Sequence, residues 1–270
     1  MTPVVTARAD TDTWFRRYRR TAAPRLRLVG FPHAGGTAQL FHGWPPLLPP
    51  DVELLAVRYP GRQDRLAEPC VESMDELADR IADALTDRLD LPLVFFGHSM
   101  GSSVAYEVAV RLEARHGTGP VRLLVSGRAA PHHAKRSGLH DTDDDTLIAG
   151  IRSLGDLGSE AFDIPELREL LLPPLRADYR LIETYRPAAP VPVRAPITAY
   201  VGTEDHGCVR EDVLAWAELT TSGEFSLRAF DGDHFYLVPR EGELLAELGR
   251  RLADVGGPAP AAKTHLTVPV

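Results

Sequence analysis

A short apolar segment leads directly into the pentapeptide Gly97-His98-Ser99-Met100-Gly101, and a helical pattern follows it. Residues 91–96 are typical of a buried strand, whereas residues 102–112 carry apolar side chains three and four positions apart. Glycines on both sides of a serine permit the strained turn between strand and helix that exposes the hydroxyl as a nucleophile. The pentapeptide alone is a weak signal, but its two flanks favour Ser99 as a nucleophile over an ordinary loop serine.

Strand-like and helix-like segments alternate along most of the chain. Amphipathic helical stripes cover residues 74–89 and 244–252. Several strand-like segments are apolar nearly throughout, as in parallel strands that are covered on both faces. The alternation predicts a doubly wound, mostly parallel sheet. Its predicted strands are residues 26–31, 52–59, 93–96, 121–126, 197–201 and 225–230.

The alternation is interrupted between residues 131 and 187. This segment has no convincing strand, only helical patterning broken by glycines and prolines, among them the pair Pro173-Pro174. It is too long for a simple connector, and we expect a helical lid over the active site. The predicted organisation is an N-terminal segment (1–24), an α/β domain (25–255) that contains this lid, and a disordered tail (256–270).

Composition excludes several classes of protein. A chain of 270 residues with a net charge of −8 is a poor candidate for nucleic-acid binding. No apolar segment approaches the roughly 20 residues that span a bilayer, and the N-terminus lacks the apolar stretch of a signal peptide. The two cysteines, Cys70 and Cys208, are far apart in sequence. We therefore expect a cytoplasmic protein without a membrane span, a structural disulfide or a zinc site.

One basic cluster stands out in this acidic chain: Arg16, Arg17, Arg19 and Arg20. The favoured interpretation is the solvated face of an N-terminal helix. The alternative is a docking patch for an acidic partner.

A serine nucleophile needs a general base, and His234 is the best candidate. It follows the predicted strand 225–230 and precedes the last helical stripe, the position expected in an α/β fold with the chain order Ser, Asp, His. A histidine that merely closes a turn is the alternative. The other histidines fit less well, and the adjacent pair His132-His133 lacks the spacing of metal ligands.

The carboxylate that orients the base is harder to assign. Asp205 comes directly after residues 197–204, which begin with the predicted strand 197–201; this is the expected place, and Asp205 is favoured. Glu204 is one residue away, while Asp231 and Asp233 are close to the histidine in sequence. These three remain alternatives.

Two backbone N–H groups are candidate oxyanion donors. Met100 follows the nucleophile at the positive end of its helix. Ala34 lies in the loop Phe31-Pro32-His33-Ala34-Gly35-Gly36, where two glycines allow close approach of the backbone. An ordinary Gly-Gly turn explains this loop equally well.

With these motifs assembled, the chain resembles the type II thioesterases of polyketide and nonribosomal-peptide assembly lines. Besides the two motifs above, the resemblance includes Tyr59-Pro60-Gly61-Arg62, the lid stretch from Glu169 to Tyr179, and Gly232-Asp233-His234-Phe235. It extends over residues 14–252. One departure is His206-Gly207-Cys208 after Asp205, where family members often have proline.

The resemblance implies an α/β-hydrolase fold with the triad Ser99, Asp205 and His234 and with Ala34 and Met100 as oxyanion donors. It implies hydrolysis of acyl groups from the phosphopantetheine arm of acyl or peptidyl carrier proteins, which edits stalled units. No cofactor or metal is expected, since the arm arrives on the substrate, and a monomer is the simple default. The alternatives are a general serine esterase or acyltransferase on the same fold and, more remotely, a non-catalytic binding protein.

Overall fold

The computed structural model describes residues 13–255 except 136, 156 and 188, so the predicted tail at 256–270 lies outside the described residues. Its strands are β1 (Phe15–Arg17), β2 (Leu26–Phe31), β3 (Val52–Val57), β4 (Leu93–His98), β5 (Arg122–Ser126), β6 (Ile197–Gly202) and β7 (Phe225–Phe230). They form one sheet in the order β1-β3-β2-β4-β5-β6-β7. Strand β1 is antiparallel to β3, and all other pairs are parallel.

In the part of the chain that the structure describes, the sheet is accompanied by the α-helices α1 (Met74–Leu85), α2 (Met100–His116), α3 (Asp144–Arg152), α4 (Pro165–Thr184), α5 (Arg210–Leu214) and α6 (Glu241–Ala253). Short 3₁₀ turns lie at Ala38–Phe41, Pro45–Leu47, Gln63–Arg65, Thr86–Arg88, Pro131–His133, Leu139–Asp141, Ser159–Asp163 and Ala215–Leu219. No helix in the described part of the chain has the length and apolar character needed to cross a bilayer.

Alternating strand residues build two cores on opposite faces of the sheet. On β2, Val29 and Phe31 join the cluster that contains the apolar faces of α1 and α2. Leu26 and Leu28 of the same strand join the cluster that contains α6. Successive side chains of a strand point to opposite faces, so burial of both sets requires helices on both sides. The predicted doubly wound, mostly parallel sheet is therefore confirmed.

All six predicted strands are present. The prediction that the arginine cluster lies on a helix is wrong. Arg16 and Arg17 lie on β1, a seventh strand that pairs at the sheet edge through Phe15 and Val57. The local pattern did not reveal this strand because it is only three residues long and carries two charges. Its position depends on the backbone of β3, forty residues away.

The arginines of this cluster mostly have partners within the protein. Arg16 pairs with Asp64 at 3.4 Å, and Arg17 pairs with the buried Glu53 at 3.0 Å. The Arg19 guanidinium donates hydrogen bonds to backbone carbonyls, and Arg20 is exposed. Most of the arginines in the cluster therefore form contacts that hold β1 and the residues after it against the rest of the protein.

The segment between β5 and β6 is helical, with α3, α4 and three 3₁₀ turns and no strand among its described residues. Helix α4 continues through Pro173 and Pro174, where the sequence suggested an interruption. Proline removes backbone hydrogen bonds from a helix, but burial of the neighbouring Leu172 and Leu175 against α3 contributes compensating packing. We refer to residues 131–187 as the lid segment.

Candidate active site

Ser99 lies at the turn between β4 and α2 with φ 54° and ψ −121°, a backbone conformation that is strained for a residue with a side chain. Its own N–H donates a hydrogen bond to the carbonyl of Ser126 at the end of β5, at 2.7 Å. The turn is also crowded, since a Cβ on Gly97 would lie 2.3 Å from the carbonyl oxygen of Gly101. The strain and the crowding are those of a nucleophile elbow.

His234 and Asp205 form a buried hydrogen-bonded pair. Nδ1 of His234 lies 2.7 Å from Oδ2 of Asp205, and their residues are 5% and 7% exposed. The aspartate follows β6 and the histidine follows β7, so adjacent parallel strands bring both to the same edge of the sheet. A carboxylate on Nδ1 selects the tautomer that carries its hydrogen there, which leaves Nε2 with a free lone pair.

The loop after Asp205 holds the carboxylate without a proline. The Gly207 N–H donates to Oδ1 of Asp205 at 3.1 Å, and the Cys208 N–H donates to its backbone carbonyl at 3.2 Å. One carboxylate oxygen thus faces the histidine while the other accepts from the loop. Burial raises the pKa of the Cys208 thiol, which makes a thiolate at this position unfavourable.

The three alternative carboxylates are placed elsewhere. Glu204 and Asp231 are exposed, and Asp231 lies 3.7 Å from Arg240. Oδ1 of Asp233 accepts a hydrogen bond from the Phe235 N–H at 2.7 Å. The geometry therefore favours Asp205 as the partner of the histidine.

The two candidate oxyanion donors lie close to Ser99. Met100 begins α2 and is buried, and Ala34 lies in the loop after β2. Among the described residues, neither backbone N–H donates a hydrogen bond within the protein. Both residues line the same cavity as Ser99. Both N–H groups are therefore available to a substrate oxygen.

That cavity has a volume of about 390 Å³ and lies between the strand ends and the lid segment. Ser99 and His234 line it from below, while Leu139, Tyr179 and Ile182 line it from the lid. The contacts of the described residues include no hydrogen bond between the Ser99 hydroxyl and His234. Such bonds often tighten only when substrate is bound.

Two further histidines surround the base, and sequence reasoning assigned neither of them a role at the site. The rings of His98 and His234 are 5.0 Å apart, and those of His33 and His98 are 5.9 Å apart. Burial, and then the charge of His234, lowers the pKa of His33 to about 3 and that of His98 well below its usual value. Both rings are thus neutral near pH 7 and do not oppose a positive charge on the base.

A separate group lies near the start of the lid segment, where the sequence argued against a metal. In the structure, Glu218 lies beside His132 and His133. Each of the three residues has one possible ligand atom, and these atoms all lie within 4.8 Å of one another. The His132 Nε2 contacts the Glu218 carboxylate at 3.3 Å. A hydrogen bond between the ring and the carboxylate accounts for this contact without a metal.

Comparison with known proteins shows the family to which the chain belongs. The model of the Thioesterase domain family matches residues 26–252. The chain is 42% identical over 255 residues to "Thioesterase PikA5" of Streptomyces venezuelae, covering 94% of this chain and 90% of that protein. Among solved structures, the type II thioesterase BorB from the borrelidin biosynthetic cluster superposes with a TM-score of 0.82 at 38% identity, covering 89% of this chain and 98% of BorB. RedJ, the thioesterase of the prodiginine pathway in Streptomyces coelicolor, gives 0.80 at 41% identity, covering 86% and 88%.

The fold and the site thus define a thioesterase with the α/β-hydrolase fold. Within that class, the chain belongs to the Thioesterase domain family and to its type II thioesterases of polyketide and nonribosomal-peptide synthesis.

Proposed function

We propose that this protein is a serine hydrolase that removes acyl groups from the phosphopantetheine arm of acyl or peptidyl carrier proteins. The observation that carries the proposal is the convergence of a strained serine, a carboxylate-bound histidine and two available N–H donors on one cavity. Each of these features is costly or unnecessary in a protein that only binds a ligand.

In the proposed reaction, Nε2 of His234 takes the proton of Ser99 as Oγ attacks the thioester carbonyl. The N–H groups of Ala34 and Met100 stabilise the resulting oxyanion. Asp205 holds the imidazole and stabilises its positive charge without itself taking the proton. The histidine then protonates the departing pantetheine sulfur, and it activates a water that hydrolyses the acyl-serine.

The cavity supports an acyl chain as the bound group. Its volume of about 390 Å³ falls in the range of small-molecule sites, and lid residues such as Leu139 and Ile182 give it an apolar part. We infer that the lid segment forms the acyl chamber and limits access of the arm to Ser99. Variants of Ile182 with larger and smaller side chains test this inference, since they should shift the preferred chain length in opposite directions.

The partner is inferred from relatives, among them BorB, which is described as a type II thioesterase from a biosynthetic cluster. Removal of stalled or aberrant units is the role that we propose for this chain. A structure of the type II thioesterase YbtT is described as that of a mutant with a serine-to-alanine change, which fits a serine-dependent reaction.

Docking of an acidic carrier through the arginine cluster would depend on Arg20, because Arg16, Arg17 and Arg19 have internal partners. Arg20 is exposed and can be changed without breaking those contacts. If an acidic carrier docks there, Arg20→Glu raises KM for acyl-carrier substrates and leaves KM for small acyl thioesters unchanged. Equal effects on both substrates would remove docking from this cluster.

The deciding experiment is intact-protein mass spectrometry of acyl-loaded carrier proteins incubated with wild type or with Ser99→Ala. Loss of the acyl mass with wild type alone supports a serine-dependent carrier thioesterase. Persistence of the load while simple esters are cleaved would favour the general esterase. Transfer of the acyl group to an added acceptor would favour an acyltransferase, and failure of wild type to react with a fluorophosphonate would favour a binding protein.

A further inference from the structure

A buried ion pair joins the lid segment to the body of the protein. Nη1 of Arg62 lies 2.5 Å from Oδ2 of Asp178, and Nη2 lies 2.8 Å from Oδ1. The two side chains are only 7% and 3% exposed. Arg62 follows β3, whereas Asp178 lies on α4, 116 positions later in the chain. A planar guanidinium that meets both carboxylate oxygens fixes the orientation of both groups.

The same pair holds the loop that carries the candidate oxyanion donor. Oδ2 of Asp178 accepts a hydrogen bond from the Gly35 N–H at 2.7 Å. Nη1 of Arg62 donates to the Gly36 carbonyl at 3.3 Å. Gly35 has φ +72°, a conformation that favours glycine, so the loop depends on external contacts to hold this shape. The carboxylate and the guanidinium therefore clamp both sides of this glycine pair.

These contacts determine where the Ala34 N–H points. The Ala34 N–H and the His33 carbonyl belong to one planar peptide unit. The His33 carbonyl accepts from the Gly36 N–H at 2.9 Å, and the next peptide unit is fixed by Asp178 through Gly35. Both ends of Ala34 are thus constrained, one of them by a residue of the lid.

Helix α4 is anchored to the body of the protein as well as to the rest of the lid, where its Leu172 and Leu175 pack against α3. Leu181 and Ile182 belong to the main core cluster, and the Tyr185 hydroxyl donates to Glu107 of α2. The apolar contacts of α3, in contrast, lie in a small separate cluster within the lid. The two helices of the lid segment therefore differ in how they are held.

We propose that Asp178 is a positioning residue that makes helix α4 a structural part of the oxyanion hole, with Arg62 as its support. The inference rests on the proposed function, because it concerns the donors of the same site. Movement of α4 would release the Gly35 N–H and disorder the Ala34 donor.

The test compares Asp178→Asn and Arg62→Lys with Glu53→Gln. Glu53 is a matched control because its buried carboxylate also pairs with arginines, Arg17 and Arg27, but on β3 and away from the oxyanion loop. For each variant, the second-order rate of Ser99 modification by an alkyl fluorophosphonate is measured by mass spectrometry, together with kcat and KM for a small acyl thioester. The unfolding midpoint is recorded for every variant.

We expect Asp178→Asn to lower kcat and the fluorophosphonate rate together by roughly 10- to 100-fold, less than complete loss of a donor. KM should change by less than about threefold, since the acyl chamber is retained. Arg62→Lys keeps the charge but loses the bidentate contact, so we expect a smaller fall in both rates, and this variant carries the test if Asp178→Asn does not fold. Glu53→Gln should lower the unfolding midpoint and leave both rates unchanged.

Wild-type rates in folded Asp178→Asn and Arg62→Lys would overturn the inference and leave the ion pair with a purely structural role. An equal loss of rate in Glu53→Gln would also overturn it, because the effect would then be one of general destabilisation. Failure of the proposed function is distinguishable, since a protein that only binds a ligand is not modified at Ser99, and a general esterase is modified there but leaves acyl-loaded carrier proteins unchanged.

Discussion

Gly101 lies so close to Phe31 that a Cβ on the glycine would be 2.1 Å from the phenylalanine carbonyl oxygen. Phe31 is the last residue of β2, and the loop with the Ala34 donor follows it. The first turn of α2, which carries the Met100 donor, is therefore packed directly against the start of the other donor loop. The two segments that carry the donors are in close contact, because no side chain larger than hydrogen fits between Gly101 and Phe31.

Replacement of Gly101 by alanine is expected to destabilise the fold and abolish activity. The added methyl meets backbone atoms that cannot rotate away, so the cost should reach or exceed the roughly 1–3 kcal/mol of overpacking in a core. Urea unfolding measures the free energy, and fluorophosphonate labelling of Ser99 reports on the site.

Gly249→Ala is the matched control, because Gly249 lies in α6 and has open space around the position of a Cβ. We expect this variant to gain up to about 1 kcal/mol from helix propensity and to keep full activity. A Gly101→Ala protein as stable and as active as wild type would contradict the packing argument.

Ser99→Ala and Ser99→Gly should both lose hydrolysis, but they should differ in stability. The positive φ of 54° costs an alanine roughly 1–3 kcal/mol, whereas glycine tolerates it. Part of this difference is offset by the greater entropy of glycine in the unfolded chain. We expect the glycine variant to be more stable by about 1 kcal/mol in urea unfolding. The opposite order would show that the elbow is not strained.

Asp205→Asn should lower kcat by as much as about 10⁴-fold, because an amide at this position can stabilise the wrong tautomer of His234. Steady-state kinetics on a small acyl thioester measures the effect. Glu204→Gln is the neighbouring control, since its side chain is exposed, and it should leave kcat unchanged. If the Glu204 variant lost activity and the Asp205 variant kept it, the assignment of the carboxylate would be reversed.

The protein should lose stability as the pH falls from 7.5 to 5.5, partly because of His98. Its ring is fully buried and its pKa is held well below the ordinary value of about 6.5 by burial and by nearby histidine charges. In this window the unfolded chain binds a proton that the folded protein does not, so acid favours unfolding. For one such histidine the loss is about 1.4 kcal/mol over the window.

Urea unfolding at the two pH values measures this loss, and a folded His98→Gln protein should lose about 1.4 kcal/mol less than wild type. His116→Gln serves as the control, because His116 is exposed at the end of α2. An unchanged pH dependence in His98→Gln would mean that burial does not lower the pKa of the His98 ring in the folded protein.

Local patterns were sufficient to predict much of this protein. The boundaries of β2 and β7 coincide with those predicted, and the structure brings His234 and Asp205 within hydrogen-bond distance as expected. The strand boundaries and the site residues could be predicted because the pattern of apolar residues and the order of strands and loops can be read from neighbouring positions in the sequence. The order of residues along a parallel sheet then determines which loops meet at one edge.

Contacts between distant segments decided the rest. The strand at Phe15–Arg17, the continuation of α4 through Pro173-Pro174, and the role of Asp178 all depend on partners that no local pattern identifies. Arg62 and Asp178 were visible in the sequence only as parts of two separate motifs. The two residues meet only when helix α4 packs on the oxyanion loop, and this packing exists only in the folded chain. Once both side chains are buried there, they must pair, because a buried unpaired charge is far more costly than a buried pair.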